Sequence, residues 1–215
     1  MNIIERAKNI IMTPQTEWDV IKAEEETGRS AIMGYALPLI AIGAIAAFIG
    51  YGIVGFSVPF VGTIRSISWG LSQAIITFLG GLISIGLASF IIDMLAPNFK
   101  SEKNINQSIR LVVYSYTPAW ICGVFMILPA LGLLSLIGGI YGLILLWKGM
   151  PIMKSTPEDQ KTTYFIVSLL VIIVVGIVVS LILGMIMAMF ISNPATAGLN
   201  EATQNLNDAL KNMGK

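Results

Sequence analysis

Few residues in this chain are equipped for chemistry, and most of them fall near one end of its apolar runs. Asp93 closes the second run and Arg110 opens the third, with Tyr114, Tyr116 and Pro118 just inside it. Tyr141 lies at a similar depth in the fourth run, near Trp147 and Lys148, and Tyr35 and Pro38 at a similar depth in the first. Phenol hydroxyls, one carboxylate, one guanidinium and a backbone carbonyl freed by proline can hold a polar ligand or a lipid headgroup. The same residues also describe an interfacial belt of aromatic side chains, which is the commoner arrangement. Both readings stand at this point. The chain has no histidine, and Cys122 is its only cysteine. That excludes His-dependent triads, the usual zinc sets, CxxC redox pairs and any intrachain disulfide. No cofactor and no metal is expected. Nucleotide motifs are missing too: Gly138-Gly139-Ile140-Tyr141-Gly142 lacks the GxGxxG spacing, and no GxxxxGK[ST] occurs.

The elements that position these residues must lie in a membrane. Of 215 residues, 55% are hydrophobic and 12% charged, against roughly 25% charged in an average soluble domain. A mean hydropathy of +0.81 excludes a soluble enzyme of this size, since a small globule exposes most of its side chains to water. A net charge of +1 provides no basic field for nucleic acid.

Residues 30–64, 66–92, 111–147 and 162–200 carry no charge. A single crossing needs about 20 apolar residues. The third run would reach about 55 Å as one helix, too long for one crossing. It also contains Pro129-Ala130-Leu131-Gly132 near its middle, a helix-breaking turn. Two short helices joined by that turn satisfy both facts. The expected fold is all-α, a polytopic bundle of five spans at about 31–55, 70–92, 111–128, 131–147 and 163–190. It is flanked by an amphipathic leader, 1–30, and an amphipathic tail, 191–215.

Lysine and arginine set the expected orientation. Ten of them fall in the leader and in the second and fourth loops, and three in the first loop and the tail. That distribution predicts a cytoplasmic N-terminus and an extracytoplasmic C-terminus. The six acidic residues of the leader argue against a cleaved signal peptide, whose leader is short and basic. Asn106-Gln107-Ser108 then falls in a cytoplasmic loop and is not a glycosylation site.

In the leader, Ile3, Ala7, Ile10 and Ile11 share one helical face, with Arg6 and Lys8 read as off it. A second helix starts at Thr13-Pro14, and Trp18 beside charged neighbours predicts that it lies in the interfacial plane. Glu24-Glu25-Glu26 reads as a solvated face. In the tail, Leu199, Ala202, Leu206, Ala209, Leu210 and Met213 line one side of a helix. Within the spans, small residues recur every fourth position: Gly176, Ser180, Gly184 and Ala188 in the fifth, and Gly80, Ser84 and Ala88 in the second. Ser135, Gly139 and Leu143 follow the pattern in part. Such stripes predict close helix packing.

Several of these segments together resemble a known family. A leader with Pro14 and Trp18 precedes a span beginning Tyr35-Ala36-Leu37-Pro38-Leu39. Tyr114-Ser115-Tyr116-Thr117-Pro118-Ala119 follows, then the uncharged hairpin at Leu128-Pro129-Ala130-Leu131-Gly132. Tyr141-Gly142-Leu143 and Trp147-Lys148-Gly149-Met150 close it. Over roughly residues 5–190 the chain is similar to the Yip family, the Ypt/Rab-interacting five-span membrane proteins, in its short prokaryotic form. The resemblance implies an all-α five-span domain with a cytoplasmic N-terminus. Eukaryotic members are linked to small GTPases, membrane curvature and vesicle traffic. They carry a long low-complexity leader that this chain lacks, so GTPase binding is not carried over.

The function expected is that of a non-enzymatic integral membrane protein of a cell membrane, prokaryotic and inner by type. It would act as a membrane-organising or partner-binding scaffold. The partners expected are the lipid bilayer and other membrane proteins or a second copy, with no nucleic acid. The alternative is a small-solute, ion or lipid pathway through the bundle. Transporters commonly place a charge at the midplane and repeat their topology, and five spans without midplane charge do neither.

Overall fold

The charge-free runs become five long helices, preceded by two short ones. The computed structural model describes residues 2–58 and 62–190 and, beyond them, Thr203, Asn207 and Lys211. Helix α1 (Ile3–Met12) is capped by Asn2, whose side chain accepts from the Ile4 amide, and α2 (Pro14–Ala23) starts on Pro14 as expected. The long helices are α3 (Gly28–Val54), α4 (Ile67–Phe99), α5 (Ile105–Ile127), α6 (Leu134–Lys154) and α7 (Glu158–Phe190). All five are long and apolar enough to cross a membrane.

Side-chain caps start three of them: Thr27 accepts from Ser30, Ser66 from Trp69 and Asn104 from Gln107. In α3 the turn Ile32–Ala36 is widened to π geometry just ahead of Pro38. A wider turn absorbs the missing proline N–H and the clash of its ring with the preceding turn. Gly55, at φ +86°, ends α3 and leads into a small antiparallel pair, β1 (Phe56–Val58) and β2 (Gly62–Ile64). That hairpin was not foreseen. The turn between α5 and α6 falls where Pro129 and Gly132 predicted, as a short 3₁₀ segment over Pro129–Leu131.

Each long helix packs antiparallel on its successor, and α7 also packs on α4. Backbones approach closely where α3 crosses α4: a Cβ on Gly70 would stand 2.5 Å from the Gly52 Cα. Burial is concentrated at the end where the leader sits. There Trp18, Ile21, Leu111, Leu145, Met150, Met153 and Tyr164 form a continuous core. Along α5, 44% of the most apolar stretch is buried within the protein; along α7 the figure is 6%. The fifth span is therefore held mainly at its start and exposes its apolar sides beyond.

Two expectations about the leader are corrected. Trp18 does not lie at a lipid interface: it is fully buried. Its ring packs so closely on Gly149 that a Cβ there would come within 2.6 Å. Arg6 is not off the packed face either, but buried with Ile10. The reason lies in the helical repeat, since Arg6 stands three residues after Ile3 and four before Ile10, within the same stripe. The leader is part of the core of this end of the bundle. The tail stripe of Leu199, Ala202, Leu206, Ala209, Leu210 and Met213, like the side chain of Ala188, lies outside the described residues.

Candidate functional site

The sequence-selected polar residues separate into three groups at the leader end. The first surrounds Arg6. Its guanidinium reaches Glu17 at 2.6 Å and also bonds Glu24, so one buried cation ties α1 to α2 and to the segment after it. The same guanidinium lies 5.3 Å from the centre of the Tyr114 ring. Burial alone would lower the Arg6 pKa, but the hydrogen bond to Glu24 and the neighbouring Tyr114, Glu24 and Glu17 outweigh it and hold it above the ordinary value. Tyr114 donates to Glu26, and Arg110 stands 3.8 Å from the same carboxylate. Arg110 also donates to the Ile21 carbonyl, capping the end of α2. Tyr35 packs on Tyr114 with ring centres 5.0 Å apart and shares a 2.8 Å hydrogen bond with Thr117. Glu24 and Glu26 are thus working partners rather than a solvated face. Cations drawn from two elements, Arg6 of α1 and Arg110 of α5, hold them in place.

A polar cavity of about 340 Å³ opens beside this group, lined by Arg6, Glu24, Glu26, Ser30, Tyr35 and Tyr114. Its acids and bases are already spent on one another. The arrangement can accept hydrogen bonds from a small polar group, and its one phenol–carboxylate pair, Tyr114 on Glu26, stands beside the Arg110 cation. Among the described residues no three His, Cys, Asp or Glu side chains converge to hold a metal ion.

Asp93 belongs to a second group, separate from the first. Lys154, fully buried, donates to Asp93 at 2.9 Å, to Ser108 at 2.7 Å and to the Asn104 carbonyl at 3.1 Å. Ser108 donates to Asp93 in turn, at 3.1 Å. This network joins the ends of α4, α5 and α6, and Tyr164 adds α7 by donating to the Ile92 carbonyl. With all three ammonium protons bonded, the buried charge is compensated rather than exposed to a ligand.

Tyr116, Pro118 and Tyr141 form neither of these clusters. Tyr141 donates to the Ile11 carbonyl at 2.6 Å, tying α6 to the end of α1. Pro118 kinks α5, and its carbonyl packs against Gly138 of α6. Tyr116 sets its ring edge-on to Trp120, with centres 6.0 Å apart, and borders clefts on both sides of α7. One of these, about 200 Å³, lies between the two small-residue stripes: Gly80, Ser84 and Ala88 on α4 face Gly176 and Ser180 on α7. A Cβ on Gly80, Gly176 or Gly184 would meet nothing within 4 Å, so the stripes face each other across open space.

Arg6, Glu17, Glu24, Glu26, Ser108 and Lys154 were not read from the sequence as site residues. A signal existed for two of them. Arg6 interrupts an apolar helical stripe, and Lys154 follows Met150 by one turn on the buried face of α6. Asn106, which falls in the first turn of α5 rather than in a loop, is also occupied, its side chain accepting from the Gly28 amide at 3.0 Å.

Comparison with known proteins bears on the whole arrangement. The family model described as the Yip1 domain matches residues 8–182. The inner membrane protein YohC of Escherichia coli strain K12 is 28% identical over 156 residues, covering 70% of this chain and 80% of the relative. The protein of the same name from Escherichia coli O6:H1 matches to the same extent. No solved structure matches the chain significantly.

Proposed function

The chain belongs to the Yip1 family, and from that premise we propose that it is a non-enzymatic scaffold of a prokaryotic inner membrane. Its N-terminus would be cytoplasmic, following the excess of lysine and arginine in the leader and the second and fourth loops. The observation that carries the reading is how the polar residues are used. Arg6 with Glu17 and Glu24, Tyr114 with Glu26, and Lys154 with Asp93 fasten leader and loops into one rigid end. Lys154 with Asp93 is enclosed, whereas a catalytic or ion-conducting charge faces substrate or water. The paired groups leave α7 as the surface offered to the membrane, with Val174, Val178, Leu181 and Met185 all more than half exposed. An apolar span so lightly held by its own bundle leaves a broad aliphatic face free to pack on another helix.

Site-specific photo-crosslinking in native membranes tests this. A crosslinker at Val178 or Leu181 is expected to yield one discrete protein adduct, whether a second copy or another membrane protein. Lipid adducts alone, together with solute flux in proteoliposomes that falls in Tyr116→Phe, would replace the scaffold with a pathway.

A further inference from the structure

A second surface of the leader carries a ligand chemistry that the scaffold reading does not supply. Between α1 and the bundle lies an apolar cleft of about 400 Å³, lined by Ile3, Ala7, Ile11, Leu39 and Ile121, with Lys8 at its edge. Ile4 and Met12 flank it, exposed by 76% and 71%. Leu39 and Ile121 belong to spanning helices, so the cleft is continuous with the surface that faces lipid. Ile121 stands sixteen residues into α5, or roughly 24 Å along its axis. That lays α1 against a membrane-spanning stretch of the bundle. Two large apolar side chains so exposed there are explained by contact with acyl chains.

Lys8 supplies the second half of the argument. It lies between Ile4 and Met12 on the helix, and among the described residues it makes no ion pair and no side-chain hydrogen bond. An unpaired lysine whose stem edges an apolar slot matches one amphiphile: an anionic headgroup on a hydrocarbon chain. The slot is also preformed, because α1 is fixed by the buried Arg6 pairs and by the bond from Tyr141 to the Ile11 carbonyl.

We propose that this cleft binds one anionic phospholipid, with an acyl chain between α1, α3 and α5 and its phosphate on Lys8. The proposal holds whether or not the protein is a scaffold.

Native mass spectrometry of the full chain in mild detergent, titrated with phosphatidylglycerol or phosphatidylethanolamine, reads it directly. The wild type is expected to retain one phosphatidylglycerol in preference to phosphatidylethanolamine. Lys8→Gln should weaken that adduct about five-fold, the scale of one lysine near an anionic surface, while Lys8→Arg keeps it. Ile121→Trp, at a partly exposed position that tolerates bulk, should weaken both lipids by narrowing the slot. Equal retention of the two lipids by the wild type would overturn the proposal. So would undiminished binding in Lys8→Gln, or a dimer that excludes lipid from the wild type. Melting curves of each variant accompany the titration, and an Lys8→Gln that melts early is replaced by Lys8→Met.

Discussion

Replacing Gly149 by alanine separates the leader's docking from the stability of the helix that receives it. On helix propensity alone the change gains about 1 kcal/mol, because glycine gives up the most backbone freedom on folding. Packing opposes it. The new Cβ would lie 2.6 Å from Trp18 Cε2, and 2.7 Å from both Trp18 Cζ2 and Leu111 Cδ1, where carbon atoms sit comfortably at about 3.5–4.0 Å. Neither neighbour has room to retreat, since Trp18 and Leu111 are both fully buried. Overpacking of this kind costs about 1–3 kcal/mol, and rigid partners on two sides place it at the upper end. The net loss is then about 2 kcal/mol, close to a thirty-fold rise in undocked leader. Gly139→Ala on the same helix is the control, because a Cβ there meets nothing within 4 Å and should gain about 1 kcal/mol.

Trypsin cleavage of the purified full chain at Lys22 and Arg29 reports the open population when reclosing is fast. Gly149→Ala should be cut some thirty-fold faster than the wild type, and Gly139→Ala no faster. If the two variants were cut alike, or Gly149→Ala melted higher than the wild type, the packing of Trp18 on α6 would be refuted.

Other perturbations test the remaining contacts. Asp93→Asn strands the buried Lys154 ammonium and should cost about 3–5 kcal/mol; the double variant Asp93→Leu/Lys154→Met should recover most of it, and a melting temperature as low as that of Asp93→Asn would count against a compensated pair. Arg6→Gln leaves the Glu17 carboxylate buried without its cation, so leader cleavage should accelerate while the melting of α4–α7 changes little; an unaltered cleavage rate would mean that Arg6 does not hold the leader. Tyr164→Phe removes one hydrogen bond from α7 to the Ile92 carbonyl, worth about 0.5–1.5 kcal/mol, and hydrogen exchange should rise at the start of α7 rather than in α5.

The membrane-facing half of this fold could be read in the sequence, and the leader end could not. Lipid forbids unpaired backbone and charge, so the charge-free runs and the turn at Pro129 marked the five helices before any contact was known. Their ends were harder to place. α6 runs through Pro151 to Lys154 and packs on α2 of the leader, while α4 reaches Phe99, which stacks on Tyr164 of α7. At that end, protein packing replaces lipid as the surroundings, and buried charge becomes permissible once paired. Arg6, Glu17, Glu24 and Lys154 therefore looked like surface residues, since only the fold brings their partners to them. Gly149 gave no warning for a related reason: its role depends on Trp18, more than a hundred residues earlier. Tyr35 and Tyr114 meet ring to ring, yet Asp93 and Arg110 serve separate networks on different sides of α5.

Two loops brought to one end by five antiparallel helices are the frame for everything else, and a designed disulfide measures that most directly. Ser101 and Thr156 lie in the loops after α4 and after α6, with their hydroxyl oxygens 2.9 Å apart. In a Cys122→Ser background, Ser101→Cys with Thr156→Cys in sealed native membranes should oxidise to a single intramolecular bond. Single cysteines at the exposed neighbours Lys103 and Ser155 should react with a membrane-impermeant maleimide only from the same face. Labelling of the two positions from opposite faces, with no bond formed, would contradict the five-span bundle.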